Sequence, residues 1–277
     1  MSETSVVLKS ETNSLVFLFN LARKLAEMTY VDAKNLIAQG KLFFLPIGST
    51  EQHGSAGPLG TDHMAAEVVA THLADKLDGI VMPTIPVGAS AYHMKFPGSL
   101  TVRSDVVSEY ISDVIRSIVK HGAKKIVICN GHEGNTAAAS RAALTVQAES
   151  DADVFIANYW FTVYDKLGKE WEGHFGKCEM AMILAYNSKL LDLSKAKDPS
   201  DFEEAFRAHA RARDREGMWF TRDFTEIAPT GWYAHPGAFS VTQKDSDWLV
   251  NWVTDAIISK MEETGFLDQN STVIHTA

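Results

Sequence analysis

Apolar and polar positions alternate along this chain in two kinds of block. Short, almost wholly apolar runs recur at 42–47, 80–87, 125–129 and 154–160. Runs of that length read as buried strands. Between them lie stretches with helical spacing. Residues 30–39 end at Gly40, and 62–77 place Met64, Val68, Val69, Leu73 and Leu77 on one face. Residues 104–121 stop at Gly122, and an alanine-rich stretch follows the third strand to about 149. Strand and helix in alternation predict an α/β fold with a largely parallel sheet covered on both faces. In such sheets ligands bind beyond the carboxyl ends of the strands.

The pattern then changes. A loop is expected over 161–176, an apolar helix from Glu179 through Tyr186 and a charged, solvated helix over 201–215. An aromatic, irregular stretch over 217–242 precedes a closing amphipathic helix at 245–263, with Gly265 just past its end. There is no internal repeat and no low-complexity linker. One domain over 28–265 is expected, with an extension at 1–27 and a frayed tail at 266–277.

Composition narrows the function classes. The 277 residues are 45% hydrophobic and 22% charged, ordinary for a globular protein. A formal net charge of −9 argues against a nucleic-acid partner and allows a neutral or cationic small molecule. Two cysteines, Cys129 and Cys178, make no disulfide framework, so a reducing, cytoplasmic setting is expected. The apolar run at 15–21 resembles a short signal-peptide core. It lacks a basic flank, since Lys9 is followed by Glu11, and it has no small-residue cleavage site. It is also too short to span a bilayer, so no membrane partner is expected.

Candidate chemistry gathers in the loops after the strands. The first loop reads Gly48-Ser-Thr-Glu-Gln-His-Gly. Glu51 and His53 are two residues apart, which in extended chain points both side chains the same way. Asp62 follows a Gly- and Pro-rich turn that can bring it back towards them. Asp62 also sits where the next helix would take its N-cap. Two carboxylates and an imidazole suit Zn²⁺, Mn²⁺ or Fe²⁺. The second loop carries Tyr92 and His93, and the third reads Asn130-Gly-His-Glu-Gly-Asn. All three loops lie at one sheet edge, so His53, His93 and His132 are expected to converge. Further on, His174 lies between glycines, and Glu179 opens a helix where its dipole favours a carboxylate.

Gly48-Ser-Thr-Glu-Gln-His-Gly, Leu59-Gly-Thr-Asp, Phe96-Pro-Gly-Ser, Asn130-Gly-His-Glu-Gly-Asn and His174-Phe-Gly-Lys-Cys-Glu, in this order and spacing, resemble the creatininase (creatinine amidohydrolase) family. The resemblance implies a three-layer α/β/α sandwich with a mainly parallel central sheet. It also implies a binuclear site for two divalent ions, Zn²⁺ and/or Mn²⁺ with Fe²⁺ allowed, and a homo-oligomer, commonly a hexamer. One ion would take Glu51, Asp62 and His132, and the other His53 and the bridging Asp62. Creatininase itself uses a glutamate two residues after the Asn-Gly-His histidine, where this chain has Gly134; the resemblance to other members, in which the glutamate of the later His-x-Gly-x-x-Glu motif takes that place, implies Glu179 as the last ligand. The resemblance places a catalytic histidine at His174, with Glu133 and His93 in reserve. Tyr92, Trp160 and Trp171 are candidates to wall a flat substrate.

Three departures from the family pattern bear on substrate. Ser55-Ala-Gly stands where many members carry a second histidine, Glu179 is followed by Met180, and Thr230-Gly-Trp-Tyr-Ala-His-Pro only loosely matches the later motif. The expected activity is hydrolysis of a small cyclic amide or related C–N bond by metal-activated water. The same motifs also suit a C–C or lactone bond in a cyclic ketone or sugar-derived ring. A binding protein without catalysis is the third alternative.

Overall fold

The computed structural model describes residues 22–212 and 223–267. Its centre is a five-stranded, wholly parallel sheet in the order β1-β3-β2-β4-β5. The strands are β1 (Arg23–Lys24), β2 (Phe43–Ile47), β3 (Ile80–Val81), β4 (Lys125–Asn130) and β5 (Asp153–Asn158). The edge strand β1 lies within the expected extension, so the sheet begins before residue 28. The remainder of that extension, the apolar run at 15–21 included, lies outside the described residues.

Helices cover both faces, as the alternating pattern requires. Phe43, Leu45, Ile47, Ile80, Ile126 and Ile128 bury one face. It packs against α1 (Tyr30–Ala38), α3 (Ser104–Lys120) and the alanine-rich α4 (Thr136–Glu149). Phe44, Val81, Val127, Cys129 and Ala157 bury the other. Its cover is α2 (Thr61–Lys76), α5 (Tyr159–Leu167), α6 (Lys177–Asn187) and α8 (Gln243–Glu263). Alternate residues of β2 therefore serve opposite cores, which is why the strand is apolar throughout. Each such side chain contributes on the order of 1.5–3 kcal/mol by leaving water. The result is the expected three-layer α/β/α sandwich.

Several boundaries differ from the sequence reading. The strand expected over 80–87 pairs only at Ile80–Val81, because Pro83 and Pro86 lack the N–H a ladder needs. Beyond it, Ile85 makes one isolated bridge to Ile47. The run at 154–160 ends as a strand at Asn158, and α5 continues through Leu167 where a loop was expected. Tyr159, Trp160 and Val163 bury one helical face there. A short apolar run does not by itself tell strand from helix. The charged helix is α7 (Phe202–Ala212), and the rest of its expected span lies outside the described residues. A short antiparallel pair, β6 (Gly173–His174) and β7 (Tyr233–Ala234), ties His174 to the aromatic stretch. Among the described residues, no helix is long and apolar enough to cross a membrane.

Candidate metal centre

Register brings the site together. Ile47, the last residue of β2, is the partner of Asn130, the last of β4. The loops carrying Glu51 and His53 and the turn carrying His132 therefore leave the sheet side by side. Asn130 accepts the His132 backbone N–H on its side chain at 3.1 Å, which fixes the turn. Asp62 is not an N-cap. The helix begins one residue earlier with Gly60 as its cap, and the Asp62 carboxylate is freed to point into the site.

Three groups of side chains converge closely enough to share an ion: Glu51, Asp62 and His132; His53, His174 and Glu179; and Glu51, His93 and His174. Glu51, His53, Asp62, His93 and His132 are all buried. His53 Nε2 lies 3.1 Å from Asp62 Oδ1 and 3.9 Å from Glu179 Oε2. His132 Nδ1 lies 3.0 Å from Asp62 Oδ2 and 3.4 Å from Glu51 Oε2. Asp62 thus offers one oxygen to each imidazole.

The opposite nitrogens are already committed. His53 Nδ1 donates to the Glu51 carbonyl at 3.0 Å, and His132 Nε2 donates to the Ala89 carbonyl at 3.2 Å. In each neutral ring the remaining nitrogen is a lone pair facing carboxylate oxygens. Two facing acceptors need a positive charge between them, either a proton on the ring or a bound cation. Glu51 Oε2, His53 Nε2 and Asp62 Oδ2 are buried without a hydrogen-bond partner. This donor set fits divalent ions of the Zn²⁺ or Mn²⁺ kind.

The electrostatics point the same way. Burial disfavours a charged His53, yet Asp62, Glu179 and Glu51 outweigh it and raise the ring to about 10. His132 is raised to about 9 against burial by Glu51 and Asp62. Asp62, also buried, is held well below the usual carboxylate range by His53 and His132. Burial raises Glu51, and it raises Glu179 to about 7. The site's field demands positive charge at both lone pairs. His93 and His174 behave oppositely, since burial and neighbouring imidazoles push both well below the ordinary histidine range.

His174 stacks on His53 at 4.4 Å and on His93 at 4.8 Å, with Phe224 against the rings of His93 and His174. The residue after it, Phe175, adopts a left-handed φ of 60° and donates its N–H to Glu179 Oε2. That carboxylate so holds a strained turn beside the site. Gly134 occupies the position where creatininase itself carries a glutamate. A Cβ there would lie 2.4 Å from the Ala89 carbonyl oxygen and 2.5 Å from His132 Nε2, so this loop has no room for a side chain.

A cavity of about 570 Å³ opens over the site and is lined by Tyr92, His93, Glu133, Trp160 and His174 as well as Glu51, Asp62, His132 and Glu179. The Tyr92 hydroxyl is 3.3 Å from His132 Nε2. Trp160 Nε1 is buried on the cavity wall without a hydrogen-bond partner. Glu133 belongs to none of the three groups, and its Oε2 lies 3.7 Å from His209 Nε2. Trp171 is not on the cavity wall. It packs in the core beside Trp248, with the Lys177 ammonium 4.3 Å from its ring centre. A larger hollow of about 1130 Å³ adjoins this cavity, but of the expected site residues it takes in only Glu133. Sequence reasoning missed Gln52, Ser90, Phe224, His209 and Tyr233. Only Gln52 had a signal, its place between two candidate ligands.

Fold and site together define an α/β/α protein built around buried carboxylate–imidazole groups suited to metal ions. A family model, Creatininase, described as creatinine amidohydrolase, matches residues 26–261. The chain belongs to the creatininase family. It is 26% identical over 195 residues to creatinine amidohydrolase of Pseudomonas putida, covering 62% of this chain and 75% of that protein. It is 33% identical over 115 residues to the mycofactocin precursor peptide peptidase of Mycobacterium tuberculosis, covering 38% and 45% respectively. The 3-dehydro-scyllo-inosose hydrolase of Thermotoga maritima is 26% identical over 226 residues, covering 76% of this chain and 68% of that protein. Among solved structures, a manganese form of creatininase superposes with a TM-score of 0.72 at 22% identity, covering 88% of this chain and 98% of that one, which shows the shared fold.

Proposed function

We propose that this chain is a binuclear metal-dependent hydrolase of a small cyclic amide or related C–N bond. One observation carries the reading. His53 and His132 each aim a lone pair at a different oxygen of Asp62, while their other nitrogens are held by backbone carbonyls. Glu51, Asp62 and His132 would hold one ion, and His53, Asp62 and Glu179 the other. Bound there, such ions supply Lewis acidity that makes water nucleophilic at neutral pH and draws electron density from a carbonyl.

The chain's own groups do the rest. His174 donates Nε2–H to the Gln52 carbonyl at 2.7 Å, so its Nδ1 is the basic atom. That nitrogen can take a proton and return it to a leaving amine. Trp160 lines the cavity and offers an indole wall for a flat ligand. Tyr92 lines the same cavity beside His132. Glu133 and His93 are not the proton carriers in this reading, since Glu133 faces His209 and His93 faces Glu51.

A second reading keeps the ions and cleaves a C–C or lactone bond of a ring ketone. The inosose hydrolase relative favours it, because that match spans more of this chain than the amidohydrolase match does. Product analysis separates the two. The protein, stripped by chelator and reloaded with Mn²⁺ or Zn²⁺, is given a panel of cyclic amides and cyclic ketones. Metal-dependent release of amine or ammonia supports C–N hydrolysis. Turnover confined to the ketones overturns it in favour of the second reading. We further infer a cytoplasmic homo-oligomer, a hexamer by family. Two free, buried cysteines and exposed apolar side chains at Tyr110 and Leu144 support this.

A further inference from the structure

Gln52 lies between two candidate ligands, is itself buried, and binds no ion in the reading above. Its amide orientation is fixed by chemistry. The Gly54 backbone N–H can only donate, so the atom it meets at 3.0 Å is Gln52 Oε1. The amide nitrogen is then the atom 3.0 Å from His93 Nδ1, and it donates. With Nδ1 accepting, the proton of neutral His93 is on Nε2, which lies 3.1 Å from Glu51 Oε1, within donating distance. The main chain of Gln52 acts on a second imidazole, since its carbonyl accepts Nε2–H of His174 at 2.7 Å. Its own N–H donates to Ser99 Oγ at 3.0 Å, which anchors the segment. Gly231 packs closely against the amide, since a Cβ there would lie 2.5 Å from Oε1.

We propose that Gln52 is a positioning residue whose amide fixes the tautomer of His93, making His93 a hydrogen-bond donor to Glu51. The consequence falls on the carboxylate. His93 occupies Oε1, and Oε2, which has no hydrogen-bond partner, is left as the one oxygen for a cation beside His132. Groups behind a ligand commonly change metal affinity by roughly 10–100-fold when removed. The inference rests on reading Glu51 as a metal ligand.

Gln52→Glu tests it. The variant is isosteric and still accepts from Gly54, but it has no N–H for His93 Nδ1. In full-length protein labelled with ¹⁵N-histidine and loaded with Zn²⁺, ring-nitrogen shifts should show wild-type His93 protonated at Nε2 and bare at Nδ1. In Gln52→Glu, Nδ1 should become protonated, and Zn²⁺ affinity should fall by roughly 10–100-fold. A wild-type His93 protonated at Nδ1 overturns the proposal. So does an affinity loss with the tautomer unmoved, which would make Gln52 a packing residue only. If Gln52→Glu does not fold, a second pair decides. His93→Gln, which keeps a donor for Glu51, should hold Zn²⁺ better than His93→Leu by tenfold or more, and equal affinities overturn the proposal. If the wild type binds no divalent ion, the metal reading fails instead, and the ring nitrogens still report the tautomer.

Discussion

Asp62 turns Oδ1 towards His53 Nε2 at 3.1 Å, while the far nitrogen of that ring is held by a backbone carbonyl. His132 repeats the arrangement on Oδ2. In the proposed reading this one carboxylate would serve both ions, and its loss should differ in kind from loss of either histidine. Asp62→Asn should bind neither ion, because it removes the shared charge and puts an amide donor where a cation belongs. His53→Ala should lose one ion and keep the other. Metal content by elemental analysis checks this, and an Asp62→Asn protein with two ions would remove the bridge.

His174 and Glu179 should separate chemistry from binding. If His174 carries the proton, His174→Ala should keep both ions and lose roughly 10²–10⁴-fold in turnover, the usual worth of a positioned acid–base group. Glu179→Ala should lose one ion, with at best partial rescue by excess metal. His174 lies in the same close group as His53 and Glu179, so the reverse pattern would show that the two roles are exchanged.

Much of this was legible in the sequence for definite reasons. The apolar runs marked four of the five strands, the polar edge strand β1 excepted, and a parallel sheet puts the loops after β2, β3 and β4 at one edge. That alone brought His53, His93 and His132 together. The edges of elements were less legible. Pro83 and Pro86 shorten β3, and α5 begins inside what read as a strand, because an apolar run has no period to choose between them. The parts of the site drawn from the aromatic stretch, Phe224 and Tyr233, have neither helical nor strand spacing to announce them. Trp171 shows the limit of residue type, since an aromatic beside a motif is equally a core residue, and here it is one.

Asp75 gives a stability prediction away from the site. Burial raises its pKa to about 6, and Oδ1 has no hydrogen-bond partner. A raised carboxylate weakens the fold as pH climbs, because the unfolded chain releases its proton first. The penalty is absent below about pH 4, grows between about pH 4 and 6, and is complete above that. Asp75→Asn should therefore stabilise at pH 7, by on the order of 1 kcal/mol after discounting for solvent screening of a partly exposed group, and change nothing at pH 3.5. Thermal melts at the two pH values check it.

The proposed homo-oligomer would cover exposed apolar side chains such as Tyr110 and Leu144. Light scattering at micromolar concentration should return a mass of several chains, with six expected. A monomer at that concentration would contradict it.

The central claim is that two ions flank Asp62. Anomalous diffraction at the zinc and manganese edges, from crystals grown with both metals, tests it most directly. Two peaks are expected, one bounded by Glu51, Asp62 and His132 and the other by His53, Asp62 and Glu179, each about 2.0–2.2 Å from its ligand nitrogens and oxygens. A single peak, or ions bound with no contact to Asp62, would contradict the account.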